Sequence, residues 1–155
     1  MCGLAGERRF GAPAALAAVE RMAAAVARRG PDGAGSWSHD GIALGHRRLS
    51  IIDLSPAGDQ PFTDPRLGLT VAFNGCIYNY PELRRELIGK GYRFFSHSDT
   101  EVVLKGYKEW GDRVVEHLFG MFAFAVTETD SGRVLLARDR LGVKPLYWAD
   151  VVEAD

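Results

Sequence analysis

The run Met121-Phe122-Ala123-Phe124-Ala125-Val126 constrains this chain more than any other stretch, because it has no polar side. Successive side chains of a strand point to opposite faces, so a continuously apolar strand must be covered on both. Asp130-Ser131-Gly132 turns it into a second strand, Val134 to Arg138, and Leu146 to Ala149 is expected to begin another. Nearer the start, Trp37 to His39 and Ile42 to Arg48 read as a hairpin across Asp40-Gly41, a favoured turn pair. The order is strands, then helices, then strands, with hairpins instead of regular βα alternation. That pattern predicts an α+β fold of two packed antiparallel sheets with helices outside, not a doubly wound sheet. At 155 residues the chain supplies a single domain.

Local signals place the other elements. Cys2 to Phe10 reads as a strand in which Gly3 and Gly6 admit a close neighbour. Pro13 opens an alanine-rich helix to Arg29, with Leu16, Val19, Met22, Ala23 and Val26 on one face and Gly30-Pro31 as its stop. Ser55 to Arg66, rich in Pro, Gly and Asp, reads as loop. Leu69 to Phe73 is expected to be a strand that ends at Asn74-Gly75, ordinarily a turn pair. Asn79 is placed as the cap of a helix with Pro81 in its first turn, running to Lys90 and closed by Gly91. Ser98 and Glu101 have capping-box spacing at the head of a helix to about Trp110, and a short helix follows Asp112.

The net charge of −1, with signs interspersed, gives no reason to expect a nucleic acid partner. No cysteine–histidine spacing suits a metal, and none is expected. With no secretory segment or long apolar run, the expectation is a cytoplasmic protein without membrane association, its two cysteines, Cys2 and Cys76, reduced. A lipid on Cys2 would need a membrane-directing segment that is not there.

Cys2 has two readings. It is a small apolar residue opening a buried strand, or, once Met1 is removed, a thiol beside a free α-amine that serves as its general base. Arg47 and Arg48 likewise read as a solvated strand end or as a carboxylate clamp. Capping explains Ser98 and Glu101 and leaves Asp99 as a helix-dipole partner or as a ligand for an ammonium group.

Taken together, several stretches resemble the class II glutamine amidotransferase domain, an N-terminal-nucleophile hydrolase, and in particular the glutaminase half of the asparagine synthetase B family. They are Met1-Cys2-Gly3-Leu4-Ala5-Gly6, Arg29-Gly30-Pro31-Asp32-Gly33, Gly45 to Asp53 (GHRRLSIID), Phe73-Asn74-Gly75, Ile77-Tyr78-Asn79-Tyr80, Ser98-Asp99-Thr100-Glu101, Gly120 to Ala125 and Ala137 to Tyr147. They keep the family's order and span nearly the whole chain. The resemblance implies a four-layer αββα sandwich that hydrolyses L-glutamine to glutamate and ammonia through a thioester on Cys2. It implies that Arg48 holds the substrate's α-carboxylate and that Leu49, Ser50, Ile51 and Ile52 line the pocket with their backbone. Asp99 takes the α-ammonium with a carbonyl near Gly75, and the Asn74 amide and Gly75 N–H form the oxyanion hole. Arg47 and the Arg29 turn are expected to be structural supports.

Position 76 departs from the pattern. Most asparagine synthetase B relatives carry a glutamate there, and Cys76 is similar instead to a side branch resembling amidotransferases of N-acetylglutaminylglutamine amide. The thiol keeps a place beside the substrate ammonium but removes a carboxylate. The resemblance also implies a partner, an ATP-dependent synthetase half that receives the ammonia. That half would use ATP and Mg, and its nucleotide loop has no counterpart in residues 1–155; the glutaminase domain itself needs no cofactor. Val151 to Asp155 does not read like the family's continuation, so the domain is expected to be C-terminally truncated, with an unfinished sheet edge through which it could associate into an oligomer. The alternative is an inactive glutamine-binding or interaction fragment.

Overall fold

The computed structural model describes residues 1–151. Its first sheet has the order β1-β3-β2, from β1 (Gly3–Arg8), β2 (Gly33–His39) and β3 (Ile42–Arg48). The second has the order β4-β5-β6-β7, from β4 (Phe62–Asp64), β5 (Leu69–Ile77), β6 (Gly120–Glu128) and β7 (Val134–Arg138). Every pairing is antiparallel. Helix α1 (Leu16–Ala25) covers the outer face of the first sheet, where Val19 and Ala23 press on Gly45 of β3. Helices α2 (Tyr80–Gly89), α3 (Asp99–Trp110) and α4 (Val114–His117) flank the second. The result is the expected four-layer sandwich.

The period of two sorts β5 and β6 into two cores. Val71, Phe73, Ile77, Phe122, Phe124 and Val126 face the helices, against Leu83, Leu87, Val103 and Tyr107. Ala72 and Ala125 face the other way, onto Leu44, Leu4 and Trp37 of the first sheet. The small alanines on that face let the two sheets come close. This is the two-sided burial that the Met121–Val126 run demanded.

Several boundaries differ from expectation. The alanine-rich helix ends at Ala25 and continues only as a 3-10 turn over Ala27–Arg29, and Met22 is exposed. Ser55–Arg66 is not all loop: it contains a 3-10 turn at Pro56–Gly58 and β4. Strand β2 starts at Gly33, four residues before Trp37, because Gly33 already pairs with Arg48. Asn79 does stand at the head of α2, but its side chain makes no cap bond; it bridges His117 O and Phe119 N at 2.9 Å each. Ser98 accepts from Glu101 N as a cap should, whereas the Glu101 carboxylate turns to Phe95 N and Ser96 N and not to Ser98 N. Leu146 to Ala149 is not a strand: no described strand pairs with it, and Tyr147 and Trp148 stand exposed. Residues 152–155, part of the segment read as off-pattern, lie outside the described residues.

The most consequential difference is at Asn74-Gly75. They do not end the strand; β5 runs through them to Ile77, held by β6 as far as Ile77↔Gly120. Gly75 is required at its place, since a Cβ there would fall 2.3 Å from Met121 O.

Candidate active site

The site lies on the edge of β5 that, beyond Val71, no described strand covers. Strand β4 pairs only with Leu69, Thr70 and Val71, so beyond Val71 the outer edge of β5 needs other partners. In an antiparallel ladder, alternate residues direct both backbone groups away from a given neighbour. Phe73 and Ile77 point away from β6 in this way. Phe73 N–H donates to Gln60 Oε1 at 2.6 Å, and Ile77 N–H donates to Asp99 Oδ2 at 3.0 Å. Gly75 lies midway between them with the same orientation, and its N–H has no hydrogen-bond partner among the described residues. The Asn74 side-chain amide, on the opposite face to Phe73, also forms no hydrogen bond within the described residues. Two neutral donors are thus left unused where the backbone on either side is tied down.

Cys2 comes from the other sheet. It shares the face of Leu4, which looks toward the second sheet. Leu49 N–H points at Cys2 Sγ from 3.4 Å, and the Cys2 carbonyl accepts from Arg29 Nε at 3.1 Å. Arg29 is therefore a support, as expected, and so is Arg47, whose Nε reaches Ala23 O at 3.4 Å. Ser50 N–H is held by Asp32 Oδ2 at 2.8 Å, which fixes the start of the 49–52 segment against the Gly30–Gly33 turn. Of that segment, Leu49, Ser50 and Ile52 are half-buried and Ile51 is exposed.

Arg48 is buried, and its guanidinium is engaged inside the loop that follows it. Nη1 donates to Ser55 O at 2.9 Å and to Asp59 Oδ1 at 2.6 Å, and Nη2 donates to Asp53 O. A guanidinium has five N–H donors, so capacity remains for a further anion. The Asp59 side chain is mostly exposed and costs little to displace.

Asp99 opens α3 and is 4% exposed. Burial pushes its carboxyl up to about 6, against the backbone N–H donors of Ile77, Asp99 and Thr100, which favour the ionised form. Cys76 lies on the Asn74 face of β5; burial and then the Asp99 charge push its thiol up, so it is neutral near pH 7. This placement suits a passive neighbour rather than a second nucleophile.

Sequence reasoning missed Gln60, His46 and Lys144. The Lys144 side chain is buried, its backbone held by Asp139 at 2.9 Å and its Nζ 3.0 Å from Met1 Sδ, which brings an ammonium to the Met1–Cys2 end of the site. Gln60 stands in a segment that reads as loop, while His46 and Lys144 lie in stretches that carry the resemblance with no role implied for either. A groove of about 360 Å³ lined by Asp64, Arg66, Tyr92, Arg93, Lys105 and Glu109 shares none of these site residues.

A helix-flanked sandwich of two antiparallel sheets, with a cysteine just before the first strand of one sheet and unused N–H donors on an edge of the other, is an N-terminal-nucleophile hydrolase fold. Glutamine phosphoribosylpyrophosphate amidotransferase from B. subtilis, solved with ADP and GMP, shares it with a TM-score of 0.77 and 22% identity, over 94% of this chain and 38% of that one. The family model described as glutamine amidotransferase domain matches residues 1–154, and the chain belongs to that family. It is 41% identical over 132 residues to asparagine synthetase [glutamine-hydrolyzing] 3 of Bacillus subtilis, covering 84% of this chain and 21% of that protein. It is 44% identical over 119 residues to asparagine synthetase B [glutamine-hydrolyzing] of Escherichia coli, covering 77% of this chain and 21% of the relative. The chain thus spans about a fifth of the length of these curated relatives. No described helix is long and apolar enough to cross a membrane.

Proposed function

We propose that this domain hydrolyses the side-chain amide of L-glutamine and supplies the ammonia to an ATP-dependent amide synthetase in the cytoplasm. The observation that carries the reading is the Asn74–Gly75 pair of free donors on an anchored edge of β5; the nucleophile proposed to work with it is Cys2, whose thiol lies 3.4 Å from Leu49 N. The Cys2 thiol gives its proton to its own α-amine and the sulfur attacks the amide carbon. The developing oxyanion is held by the Asn74 amide and Gly75 N–H, each worth about 3 kcal/mol in such a site. The amine returns the proton to the leaving nitrogen, ammonia departs, and water cleaves the thioester to glutamate and free thiol. Arg48 takes the α-carboxylate, displacing Asp59, and Leu49 to Ile52 line the pocket. Asp99 and the Gly75 carbonyl take the α-ammonium. With Cys76 neutral, Asp99 bears the ammonium without help from position 76. ATP and Mg belong to the synthetase reaction, and no step above uses them.

Intact-mass measurement after exposure to 6-diazo-5-oxonorleucine tests the reading, with Cys2→Ala as control. The expected result is loss of Met1 and one adduct that the variant does not acquire, together with glutamate release only by the parent. An adduct that persists in Cys2→Ala would place the nucleophile elsewhere, and a retained Met1 would block the amine and leave a glutamine-binding protein.

The raised Asp99 carboxyl predicts how binding depends on pH. Glutamine binding to Cys2→Ala, which cannot turn it over, should weaken about tenfold per pH unit below about 6, where Asp99 takes up a proton. Titration calorimetry between pH 5 and 8 reads this directly. Affinity that stays flat down to pH 5 would remove Asp99 from the ammonium site.

A further inference from the structure

Both backbone polar groups of Phe73, next to the proposed oxyanion hole, are met by side chains instead of by a strand. Its N–H donates to Gln60 Oε1 at 2.6 Å, and its carbonyl is 3.0 Å from His46 Nε2. Gln60 and His46 are 8% and 0% exposed. A carbonyl only accepts, so His46 carries its proton on Nε2 and donates. Burial lowers the imidazole to about 4, which keeps it neutral, and its Nδ1 has no partner among the described residues. A buried acceptor left empty is costly, and the contact that the ring makes in return is the one from Nε2 to the Phe73 carbonyl. Gln60 has a second contact: its Nε2 donates to Thr100 Oγ1 at 3.2 Å, one residue beyond Asp99. The first turn of α3 therefore meets the β5 edge twice, through Asp99 at Ile77 and through Thr100 and Gln60 at Phe73. Asn74 and Gly75 lie between the two ties.

On the glutaminase reading above, on which this rests, we infer that Gln60 and His46 are positioning residues: together they stand in for the missing strand beside Phe73 and hold the Asn74–Gly75 donors at a set distance from Asp99. Neither touches substrate. A site of this kind needs its donors placed where the oxyanion forms, and a displaced donor costs rate without costing ground-state binding.

The test uses two ligands. Glutamate γ-semialdehyde adds to the Cys2 thiol as a thiohemiacetal whose oxygen occupies the oxyanion hole; glutamate binds without one. In Gln60→Leu, kcat should fall about 10- to 100-fold, and the semialdehyde inhibition constant should rise by the same factor. The glutamate inhibition constant should move less than about threefold, since it uses only ground-state contacts. His46→Leu should behave alike, and His46→Gln, which restores an N–H donor, should recover most of the loss. Thr100→Val, close to isosteric, should cost less, and should add nothing when combined with Gln60→Leu. If kcat is unchanged, or glutamate binding weakens as much as semialdehyde binding, the residues only pack and the inference is wrong. Should Gln60→Leu fail to fold, Thr100→Val carries the same comparison. Parent protein that forms no thiohemiacetal, or Cys2→Ala that still hydrolyses glutamine, would instead overturn the glutaminase reading itself.

Discussion

Replacing Asp99 by asparagine is expected to make the protein more stable at neutral pH while abolishing its hold on glutamine. Asp99 is 4% exposed, and its carboxyl is raised from 3.8 to about 6 chiefly by burial. In the unfolded chain the group ionises near its ordinary value. Between the two values the folded state binds more protons than the unfolded one, so stability falls as pH rises through that window. Asp99's favourable contribution is complete below about 3.8 and gone above about 6, where an ionised carboxylate is held largely out of water. A shift of this size corresponds to about 3 kcal/mol at pH 7. Asparagine does not titrate, and its oxygen can still accept from Ile77 N–H. Asp99→Asn should therefore raise the midpoint of thermal unfolding by roughly 5–10 °C at pH 7.5, using the usual slope for a domain of this size.

Below about pH 4 that gain should vanish. His46, lowered from 6.5 to about 4, works in the opposite sense: the unfolded state binds more protons in its window, and stability is lost as pH falls through it. The two effects offset each other in the parent protein, so the difference between variant and parent is the quantity to follow. A midpoint that drops at pH 7.5 would mean that the Asp99 charge is repaid within the fold. Holding a substrate ammonium would then carry no stability cost at Asp99, contrary to what a stability–activity trade-off at this site requires.

Much of this architecture is legible in the order of residues alone. The unbroken apolar run at Met121–Val126 forces two-sided burial, and the Asp40-Gly41 hairpin and the Ser98 cap lie where local chemistry places them. The errors share one cause, which is that a local preference is outvoted by a distant partner. Asn74-Gly75 has the composition of a turn, but β6 supplies a ladder across it, and the pair becomes strand interior with its donors turned outward. Glu101 has capping-box spacing, but the chain folds back so that Phe95 and Ser96 offer it better donors than Ser98 does. Leu146 to Ala149 has strand composition and no described ladder to join. The ties of Gln60 and His46 are invisible for the same reason, since their partner, Phe73, lies 13 and 27 residues away. Arg48 is where its residue type suggested, but the acceptors it meets, Asp53, Ser55 and Asp59, show that the loop closes on the guanidinium first.

The second large effect is expected at Lys105, under the first turns of α3. Lys105, Glu101 and Asp64 are 1%, 0% and 5% exposed. Lys105 Nζ is 2.7 Å from Glu101 Oε1 and 3.2 Å from Asp64 Oδ2, with the rings of Phe94 and Phe95 about it. Glu101 also accepts from Phe95 N, Ser96 N and Ser96 Oγ, so it fastens the chain just before Ser98. Removing one member of such a cluster leaves its partners charged and dry, which typically costs about 3–5 kcal/mol. Lys105→Met should therefore lower unfolding stability in urea by that amount. Because Glu101 and Asp99 share the first turn of α3, glutamine binding should weaken at temperatures where the rest of the fold is intact. Adding Glu101→Gln and Asp64→Asn keeps acceptors for the backbone donors and removes both charges, so the triple variant should recover more than half of the loss. This comparison separates charge from packing: the methionine is the same in both proteins. If Lys105→Met costs under about 1 kcal/mol, or the triple variant is no better, the cluster is not a desolvated ion network. Asp99 would then owe its position to the Ile77 and Gln60–Thr100 ties at the β5 edge alone.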